Sequence, residues 1–369
     1  MSLQDDLLRR ELSRIEPYNS GLTIDHVKQL YAPDRISKLG SNENPYGPSP
    51  QVGEVFRTPE KLINLYPDSS GTALRNVLAK QFGLSSEQVI LGNGSEELLS
   101  VISRSFLRHE DRVITLYPSF PLHEDYAKLM GATVDKIAVT ERLEIDVDAL
   151  LDAVMKPARM LIFANPMNPL GAWLTPDELA SVIDATHPNT LIVLDEAYFE
   201  YANGNNYASG LATLKTGPNP WIVLRTLSKA WGLAGLRIGF GLCSSEALKQ
   251  AMDKTRTPFN VNAFAQAAAL AALKDPAHMQ TCVDKTLRER AKVQSALETK
   301  GYIVAPSNGN FLFFRTKGDS GLVSLELLKR GAIVKPWKQK PFDCFLRVSI
   351  GKPTENDHFL DALNATEKN

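Results

Sequence analysis

The sequence predicts an α/β fold in which a large domain with a mainly parallel sheet is joined to a smaller α+β domain. From about residue 88, short apolar runs alternate with amphipathic helical patterns, which is typical of parallel strands covered by helices on both faces. Near residue 260 this alternation ends, and helical stretches then group apart from a few short strand-like runs. The length of 369 residues, of which 43% are hydrophobic, allows two such cores.

The large domain contains six predicted strands, each a short apolar run bounded by turn or helix signals. They cover residues 89–91, 113–116, 160–164, 191–194, 221–224 and 238–242. One helix is predicted to begin near Ser95 and another to run over Pro176–Ala185. Thr175 and Glu178 form a capping box at the start of the second helix. Because sites in parallel sheets lie at the carboxyl ends of the strands, we expect the functional side chains there.

The small domain is predicted from the change of pattern after residue 259. Its helical patterns and strand-like runs cover residues 263–273, 285–299, 302–304, 311–314, 332–334 and 345–348. The N-terminal segment carries Leu8, Leu12 and Ile15 at the spacing of an amphipathic helix, and its roughly 40 residues are too few for a core of their own. We therefore expect an N-terminal arm over residues 1–38 that packs on the small domain, a large domain over 39–259 and a small domain over 260–369.

Composition and charge argue against several classes of partner. With 41 Lys and Arg against 42 Asp and Glu, the net charge of −1 gives no electrostatic footprint for nucleic acid or an anionic membrane. The longest stretch of mainly small, apolar residues, Ala263–Leu273, has about half the length of a membrane span. Cys243, Cys282 and Cys344 are isolated from one another and from histidines. They predict reduced thiols in a cytoplasmic protein and no metal site.

The most informative residue is Lys229, because of the residues around it. It follows Ser228 directly, lies eight residues before Arg237 and stands in the segment Leu224–Gly239, which is too apolar for an exposed loop and too glycine-rich for an ordinary core helix. Partial burial of a lysine lowers its pKa and makes the amine nucleophilic. This is what a pyridoxal phosphate site needs, with the lysine holding the cofactor as a Schiff base and the serine and arginine holding its phosphate.

Asp195 comes directly after the apolar run Leu191–Leu194 and therefore needs a cation or hydrogen-bond donors. A metal could supply that partner, and so could the protonated ring nitrogen of pyridoxal phosphate, which then acts as an electron sink. Tyr198, three residues further on, could reach the phenolic oxygen of the same ring.

Two further turns fall at predicted strand ends. Gly94 and Ser95 open a helix whose backbone N–H groups can bind a phosphate, although a plain turn with a helix cap explains the pattern as well. The segment Asn165–Gly171 contains two Asn-Pro steps, which form either a rigid turn that aims the Asn168 amide or simply a loop stiffened by proline.

Taken in order, these landmarks resemble the fold-type I pyridoxal phosphate aminotransferases from about residue 38 to the C-terminus. The segments Ser41–Gly47, Leu65–Asp68 and Leu346–Gly351 more narrowly resemble the histidinol-phosphate aminotransferase family. The resemblance implies a fold-type I fold, pyridoxal 5′-phosphate as cofactor and a homodimer with shared active sites.

The resemblance also implies a role for each residue. Lys229 is the Schiff-base lysine and moves the proton between Cα and the cofactor carbon C4′, while Asp195 pairs with the pyridine nitrogen. The other cofactor ligands bond the phenolic oxygen, stack on the ring or hold the phosphate: Asn168, Tyr198, Phe120, Gly94, Ser95, Thr226, Ser228, Arg237 and Tyr66 of the partner subunit. The substrate ligands are Arg347, expected to clamp the α-carboxylate, Lys335 for a phosphate, and Asn44 and Tyr18 along the pocket.

Two residues depart from the pattern of this family. Leu170 stands where a threonine usually precedes Gly171, which should affect the support of the loop that carries Asn168. Lys335 stands where the family often has an arginine for the substrate phosphate, and a lysine binds phosphate as a point charge without a planar fork. A separate segment, Gly318–Gly321, echoes a serine-protease loop but is predicted to be a hairpin turn.

The expected enzyme is an aminotransferase that acts on small molecules and uses glutamate and 2-oxoglutarate. Histidinol phosphate, an intermediate of histidine biosynthesis, is the first candidate for the amino donor. An aromatic amino acid is the second, and a decarboxylase similar to those that act on threonine phosphate is the third. A cofactor-fold domain used only for sensing is disfavoured because Lys229, Asp195 and Arg237 are all present. A nicotinamide dehydrogenase is disfavoured because no G-x-G-x-x-G motif occurs.

Overall fold

The computed structural model describes residues 7–57, 59–202 and 206–366. In chain order the strands are β1 (Ser37–Lys38), β2 (Val89–Gly92), β3 (Arg112–Tyr117), β4 (Thr133–Ala138), β5 (Met160–Ala164), β6 (Leu191–Asp195), β7 (Trp221–Thr226), β8 (Gly239–Cys243), β9 (Phe311–Arg315), β10 (Ala332–Ile333), β11 (Lys335–Pro336) and β12 (Phe345–Ser349). The α-helices are α1 (Ile24–Tyr31), α2 (Gln51–Val55), α3 (Thr72–Phe82), α4 (Ser95–Phe106), α5 (Pro121–Leu129), α6 (Val147–Val154), α7 (Pro176–Ala185), α8 (Phe199–Ala202), α9 (Leu211–Thr216), α10 (Glu246–Asp253), α11 (Ala263–Leu273), α12 (Pro276–Thr299), α13 (Ser320–Lys329) and α14 (Pro353–Thr366).

A seven-stranded sheet forms the centre of the large domain, in the order β2-β8-β7-β6-β5-β3-β4. Only β8 runs against its neighbours in this sheet. Every residue of β5, β6 and β7 is buried, because alternate side chains enter two cores on opposite faces. In β5, for example, Leu161 and Phe163 join one core, and Met160 and Ile162 join the other. Burial on both faces explains why these strands are continuous apolar runs in the sequence.

All six predicted strands of the large domain are present, and α7 begins behind the predicted capping box. The Oγ1 of Thr175 accepts from the backbone N–H of Glu178 at 3.3 Å, and the Glu178 carboxylate accepts from the N–H of Thr175 at 2.8 Å. The sequence analysis did not predict β4. This strand lies at the edge of the sheet and includes Asp135 and Lys136, so it has no continuous apolar run.

The small domain has a three-stranded antiparallel sheet in the order β11-β12-β9, packed against α12, α13 and α14. The predicted strand at residues 302–304 contributes only a bridge between Val304 and Phe314. The prediction of a hairpin turn at Gly318–Gly321 was wrong. Asp319 accepts a hydrogen bond from the backbone N–H of Leu322 at 2.9 Å, so this polar segment caps the start of α13.

The N-terminal arm contacts both domains. Strand β1 pairs with β10 of the small domain, and α1 packs on α13. The predicted amphipathic helix is only a short 3₁₀ turn over Arg10–Arg14, which lies on α5 of the large domain. There Arg9 donates to the carbonyl of Leu129 at 2.5 Å, while Leu8 and Leu12 stay exposed. In the described part of the chain, no helix has both the length and the hydropathy needed to cross a bilayer.

Candidate active site

A cavity of about 380 Å³ opens at the carboxyl ends of the central strands, between the large domain, the small domain and the arm. Strand β5 ends beside it at Ala164, β6 at Asp195 and β7 at Thr226. The lining of this cavity contains most of the predicted site residues: Tyr18, Gly94, Ser95, Phe120, Asn168, Asp195, Tyr198, Thr226, Ser228, Lys229, Arg237, Lys335 and Arg347. The parallel sheet thus gathers side chains that are far apart in the sequence.

Asp195 is held by two partners at the end of β6. Its Oδ2 lies 3.1 Å from Nε2 of His123, and its Oδ1 accepts from the N–H of Ala197 at 3.1 Å. His123 is fully buried on α5, and its Nδ1 has no hydrogen-bond partner among the described residues. No group of three or more His, Cys, Asp or Glu in the described ranges is arranged to hold a metal. His123 was not among the predicted site residues, although it lies only three residues after Phe120, which was.

Lys229 provides a nucleophilic amine in the same cavity. Its Nζ donates to the carbonyl of Ser41 at 2.9 Å. Burial lowers the pKa of Lys229 to about 7, and the positive charge of Arg347 acts in the same direction. Near neutral pH a large share of this amine is therefore unprotonated and able to form a bond to a carbonyl carbon.

An anion cradle lies beside Lys229, where α4 begins. Gly94 has a φ of 79°, and a Cβ at this position would lie 2.5 Å from a guanidinium nitrogen of Arg237. Arg237 also donates to Oγ of Ser228 at 3.5 Å, and Ser95 is the first residue of α4. The free N–H groups of a helix N-terminus, a hydroxyl and a guanidinium together suit a phosphate group.

Tyr198 and Asn168 both line the cavity. The hydroxyl of Tyr198 accepts from Nδ2 of Asn42 at 2.9 Å, and burial raises its pKa to about 12, so it stays protonated. Asn168 Oδ1 accepts from Nη1 of Arg347 at 2.7 Å. Leu170, the residue that departs from the family pattern, is fully buried in the large core, so it supports this loop by packing.

Arg347 and Lys335 of the small domain supply positive charge to the cavity. They are direct cross-strand partners in the β11–β12 ladder. Arg347 also donates through Nη2 to the carbonyl of Gly40 at 2.6 Å, and Lys335 donates to the carbonyl of Asn19. Burial lowers the pKa of Lys335 to about 8, with Arg347 as the next cause.

Tyr18 also lines the cavity. The Nζ of Lys335 is 5.6 Å from the centre of its ring, and the ring meets Phe120 edge to face with 6.0 Å between centroids. The arm therefore forms part of the wall on which the predicted ring-stacking residue lies.

Two predicted site residues lie outside this cavity. The prediction that Asn44 lines the substrate pocket was wrong. Its Nδ2 donates to the carbonyl of Ala230 at 2.8 Å, and it lines a separate cavity of about 210 Å³. Asn42, whose φ of 56° turns the chain, occupies the main cavity instead. Tyr66 is 82% exposed and stacks on Phe259, so it does not line the cavity of its own chain.

Comparison with known proteins shows the family to which this chain belongs. Residues 34–363 match the family model of class I and II aminotransferases. The chain belongs to this family. It is 56% identical to histidinol-phosphate aminotransferase 1 of Mesorhizobium japonicum over 99% of both chains. It is 52% identical to histidinol-phosphate aminotransferase 3 of Rhizobium meliloti, over 100% of this chain and 99% of the relative.

A solved structure agrees with these sequence relatives. The crystal structure of histidinol-phosphate aminotransferase from Sinorhizobium meliloti, in complex with pyridoxal-5′-phosphate, superposes with a TM-score of 0.87 and 26% identity. The superposition covers 97% of this chain and 98% of the other. The predicted fold class, the aminotransferase class of enzyme and pyridoxal phosphate as cofactor are confirmed.

The cavity fits pyridoxal phosphate on its own geometry. The phosphate suits the cradle of Gly94, Ser95 and Arg237, which has no room for a Cβ at the glycine. The buried carboxylate of Asp195 suits a protonated ring nitrogen, and the low pKa of Lys229 suits a covalent bond to the cofactor aldehyde.

Proposed function

We propose that this chain is a histidinol-phosphate:2-oxoglutarate aminotransferase of histidine biosynthesis. The pair Lys335 and Arg347 is the observation that supports this choice of substrate. Two cations directly opposite each other on neighbouring strands repel and destabilise the sheet unless an anion lies between them. Both side chains line the cavity that contains Lys229. A substrate phosphate, which carries close to two negative charges at neutral pH, matches this pair better than a single carboxylate.

The chemistry of the substrate changes the expected role of Arg347. Histidinol phosphate has no α-carboxylate, because its amino-bearing carbon carries a CH₂–O–phosphate group instead. The α-carboxylate clamp predicted from the sequence therefore applies to glutamate and 2-oxoglutarate. With histidinol phosphate, the same guanidinium binds the phosphate through two parallel hydrogen bonds, and the Lys335 ammonium binds it as a point charge.

Lys229 and the residues around it have separate roles in proton transfer. Bound pyridoxal phosphate supplies an electron sink for the electrons released at the amino-bearing carbon. Lys229 takes the proton from that carbon, and its pKa of about 7 keeps the amine available as a base at neutral pH. Asp195, oriented by His123 and by the N–H of Ala197, holds the proton on the ring nitrogen. In this proposal Tyr198 and Asn168, which both line the cavity, hydrogen-bond the phenolic oxygen.

A substrate panel tests the proposal against its rivals. Each amino donor is offered with 2-oxoglutarate, and kcat/KM is measured for histidinol phosphate, phenylalanine, tyrosine and threonine phosphate, with release of carbon dioxide measured for the last. We expect histidinol phosphate to give the highest value. A preference for phenylalanine or tyrosine would establish the aromatic alternative, and carbon dioxide release would establish the decarboxylase.

We also propose a cytoplasmic homodimer with shared active sites. Large apolar side chains are exposed on this part of the chain, including Ile63, Leu65 and the stacked pair Tyr66 and Phe259, and they support an interface near the Tyr66 motif. The resemblance to the family assigns Tyr66 of the partner subunit to the phosphate cradle. The three free thiols support a reducing compartment. Sedimentation of the purified protein tests the dimer, and fractionation of cells tests the location.

A further inference from the structure

Glu96 places a carboxylate in the cavity that the proposed mechanism does not use. It lies in the first turn of α4, directly after Ser95 of the anion cradle; its side chain is 40% exposed, and the residue lines the cavity. The hydroxyl of Tyr126, on α5, donates to its Oε1. Its Oε2 is 4.0 Å from the nearest guanidinium nitrogen of Arg237, which is beyond hydrogen-bond distance. One carboxylate oxygen is thus bonded to Tyr126, and the other lies at ion-pair distance from Arg237 without a hydrogen bond to it.

Tyr126 fixes the direction of this carboxylate. Burial raises the pKa of the Tyr126 hydroxyl, and the hydrogen bond to Glu96 raises it further. The hydroxyl therefore stays protonated and always acts as the donor. Because Tyr126 also lines the cavity, the pair forms one wall of it.

Glu96 and Arg347 both line this cavity, and both are close enough to Tyr18 to affect the pKa of its hydroxyl. Burial raises the pKa of Tyr18, while the charge of Arg347 acts to lower it and the charge of Glu96 acts to raise it. Both charged groups therefore act on one phenol, the ring that lies edge to face on Phe120. A ligand that binds Arg347 and lies beside Phe120 therefore shares one cavity with the Glu96 carboxylate.

The cavity wall beside Glu96 suits a flat ring that carries an N–H group. Phe120, Leu122 and Tyr126 offer apolar surface, and Glu96 offers an acceptor beside it. Among the described residues that line the cavity, the carboxylates are Asp195 and Glu96, and Asp195 is already bonded by His123 and Ala197. A phenyl ring at this wall would shield the Glu96 carboxylate from water without donating a hydrogen bond to it, which costs binding free energy.

We propose that Glu96, oriented by Tyr126, accepts a hydrogen bond from the imidazole N–H of the amino donor and so selects an imidazole over a phenyl ring. This inference rests on the proposed function, because it assigns a residue to the ring of histidinol phosphate. It makes Glu96 a specificity-determining residue, separate from the cations that hold the phosphate.

The test measures ligand binding as well as turnover. In a Lys229→Ala background, which cannot turn over substrate, calorimetry gives the Kd of histidinol phosphate and of a ringless control, the phosphate ester of 2-aminopropanol. Glu96→Gln and Glu96→Ala are compared with Glu246→Gln, an exposed glutamate in the first turn of α10. Tyr126→Phe removes the hydrogen bond that orients Glu96 and leaves the carboxylate itself in place. Visible absorbance reports cofactor affinity for each variant with Lys229 intact.

We expect Glu96→Ala to raise the Kd of histidinol phosphate by roughly 10-fold or more, the effect of a lost hydrogen bond to a charged group, with smaller increases for Glu96→Gln and Tyr126→Phe. The ringless ester and Glu246→Gln should show no change, and kcat/KM for phenylalanine should stay equal or rise in the Glu96 variants. An equal loss for both phosphate esters would place Glu96 in the anion cradle and overturn the inference. Unchanged binding in all variants would overturn it while leaving the proposed function intact. Failure of the wild type to use histidinol phosphate would overturn both.

Discussion

His123 and Asp195 form a buried pair, with 3.1 Å between the imidazole Nε2 and the carboxylate Oδ2. Both groups are shielded from solvent, and they come from different elements, α5 and β6. Because α5 also begins directly after Phe120, one helix positions both the side chain that we propose to stack on the cofactor ring and the imidazole that orients the Asp195 carboxylate. A change at either residue should therefore alter the cofactor ring before it alters the substrate.

Asp195→Asn should keep cofactor binding and reduce kcat by at least about 100-fold, the order that one charge-stabilising contact supplies in a buried site. A neutral amide cannot hold the ring nitrogen protonated. Steady-state kinetics and a cofactor titration, with Asp177→Asn on the exposed surface of α7 as the control, separate the two effects. Unchanged turnover in Asp195→Asn would assign a purely structural role to this residue.

Lys229→Ala should abolish transamination and the borohydride-reducible bond to the cofactor, because no other amine replaces its position in the cavity. Mass spectrometry of peptides from the reduced wild type should locate the cofactor on Lys229. Lys254→Ala, at an exposed lysine, should behave as the wild type. A label on another lysine would refute the assignment.

Cofactor-free protein should gain stability as the pH rises above about 7, because Lys229 has a lowered pKa of about 7 when folded and an ordinary value of 10.5 when unfolded. Between these two values the unfolded chain binds the extra proton, so unfolding becomes less favourable with increasing pH, by at most about 1.4 kcal/mol for each pH unit. Below about pH 7 both states are protonated and this dependence disappears. The measurement is denaturant unfolding of the wild type and Lys229→Met across this range. The stability difference between them should change with pH, and a constant difference would contradict the assigned pKa.

Lys335→Ala should raise KM for histidinol phosphate roughly 10- to 150-fold, the effect of losing one charge-assisted hydrogen bond. It should barely change KM for phenylalanine, whereas Lys335→Arg should keep or improve phosphate recognition through its fork. Arg347→Ala should weaken every substrate, since both the phosphate and the α-carboxylate meet its guanidinium. Identical constants for wild type and Lys335→Ala would show that this lysine does not meet the phosphate.

Mixing two inactive proteins, Lys229→Ala and Tyr66→Ala, should restore part of the activity if each site takes Tyr66 of the partner subunit. A hybrid dimer then contains one site with both residues intact. Activity is measured after subunit exchange has been shown with differently tagged chains. Exchange without any recovered activity would refute a shared site.

The sequence predicted most of the central sheet because the strands that carry the site are buried on both faces. Such strands are continuous apolar runs, and the polar residues that follow them, Asp195 among them, stand out. The exposed edge strand β4 has no such signal. Asn44 was placed wrongly because spacing in a loop does not fix the direction of a side chain, and the positive φ of Asn42 turns the chain there. His123 and Glu96 could not be assigned partners, since their contacts with Asp195 and Tyr126 join elements far apart in the sequence.

The Nη1 and Nη2 groups of Arg347 donate to Asn168 and to the carbonyl of Gly40, while its buried Nε has no hydrogen-bond partner among the described residues. An arriving anion must therefore compete with contacts that already exist, and a departing anion leaves a guanidinium that is promptly satisfied again. An aminotransferase has to admit and release four different small molecules in each full cycle. These internal acceptors reduce the net gain in free energy when Arg347 binds an anion, so that no single substrate or product holds the site through this guanidinium alone.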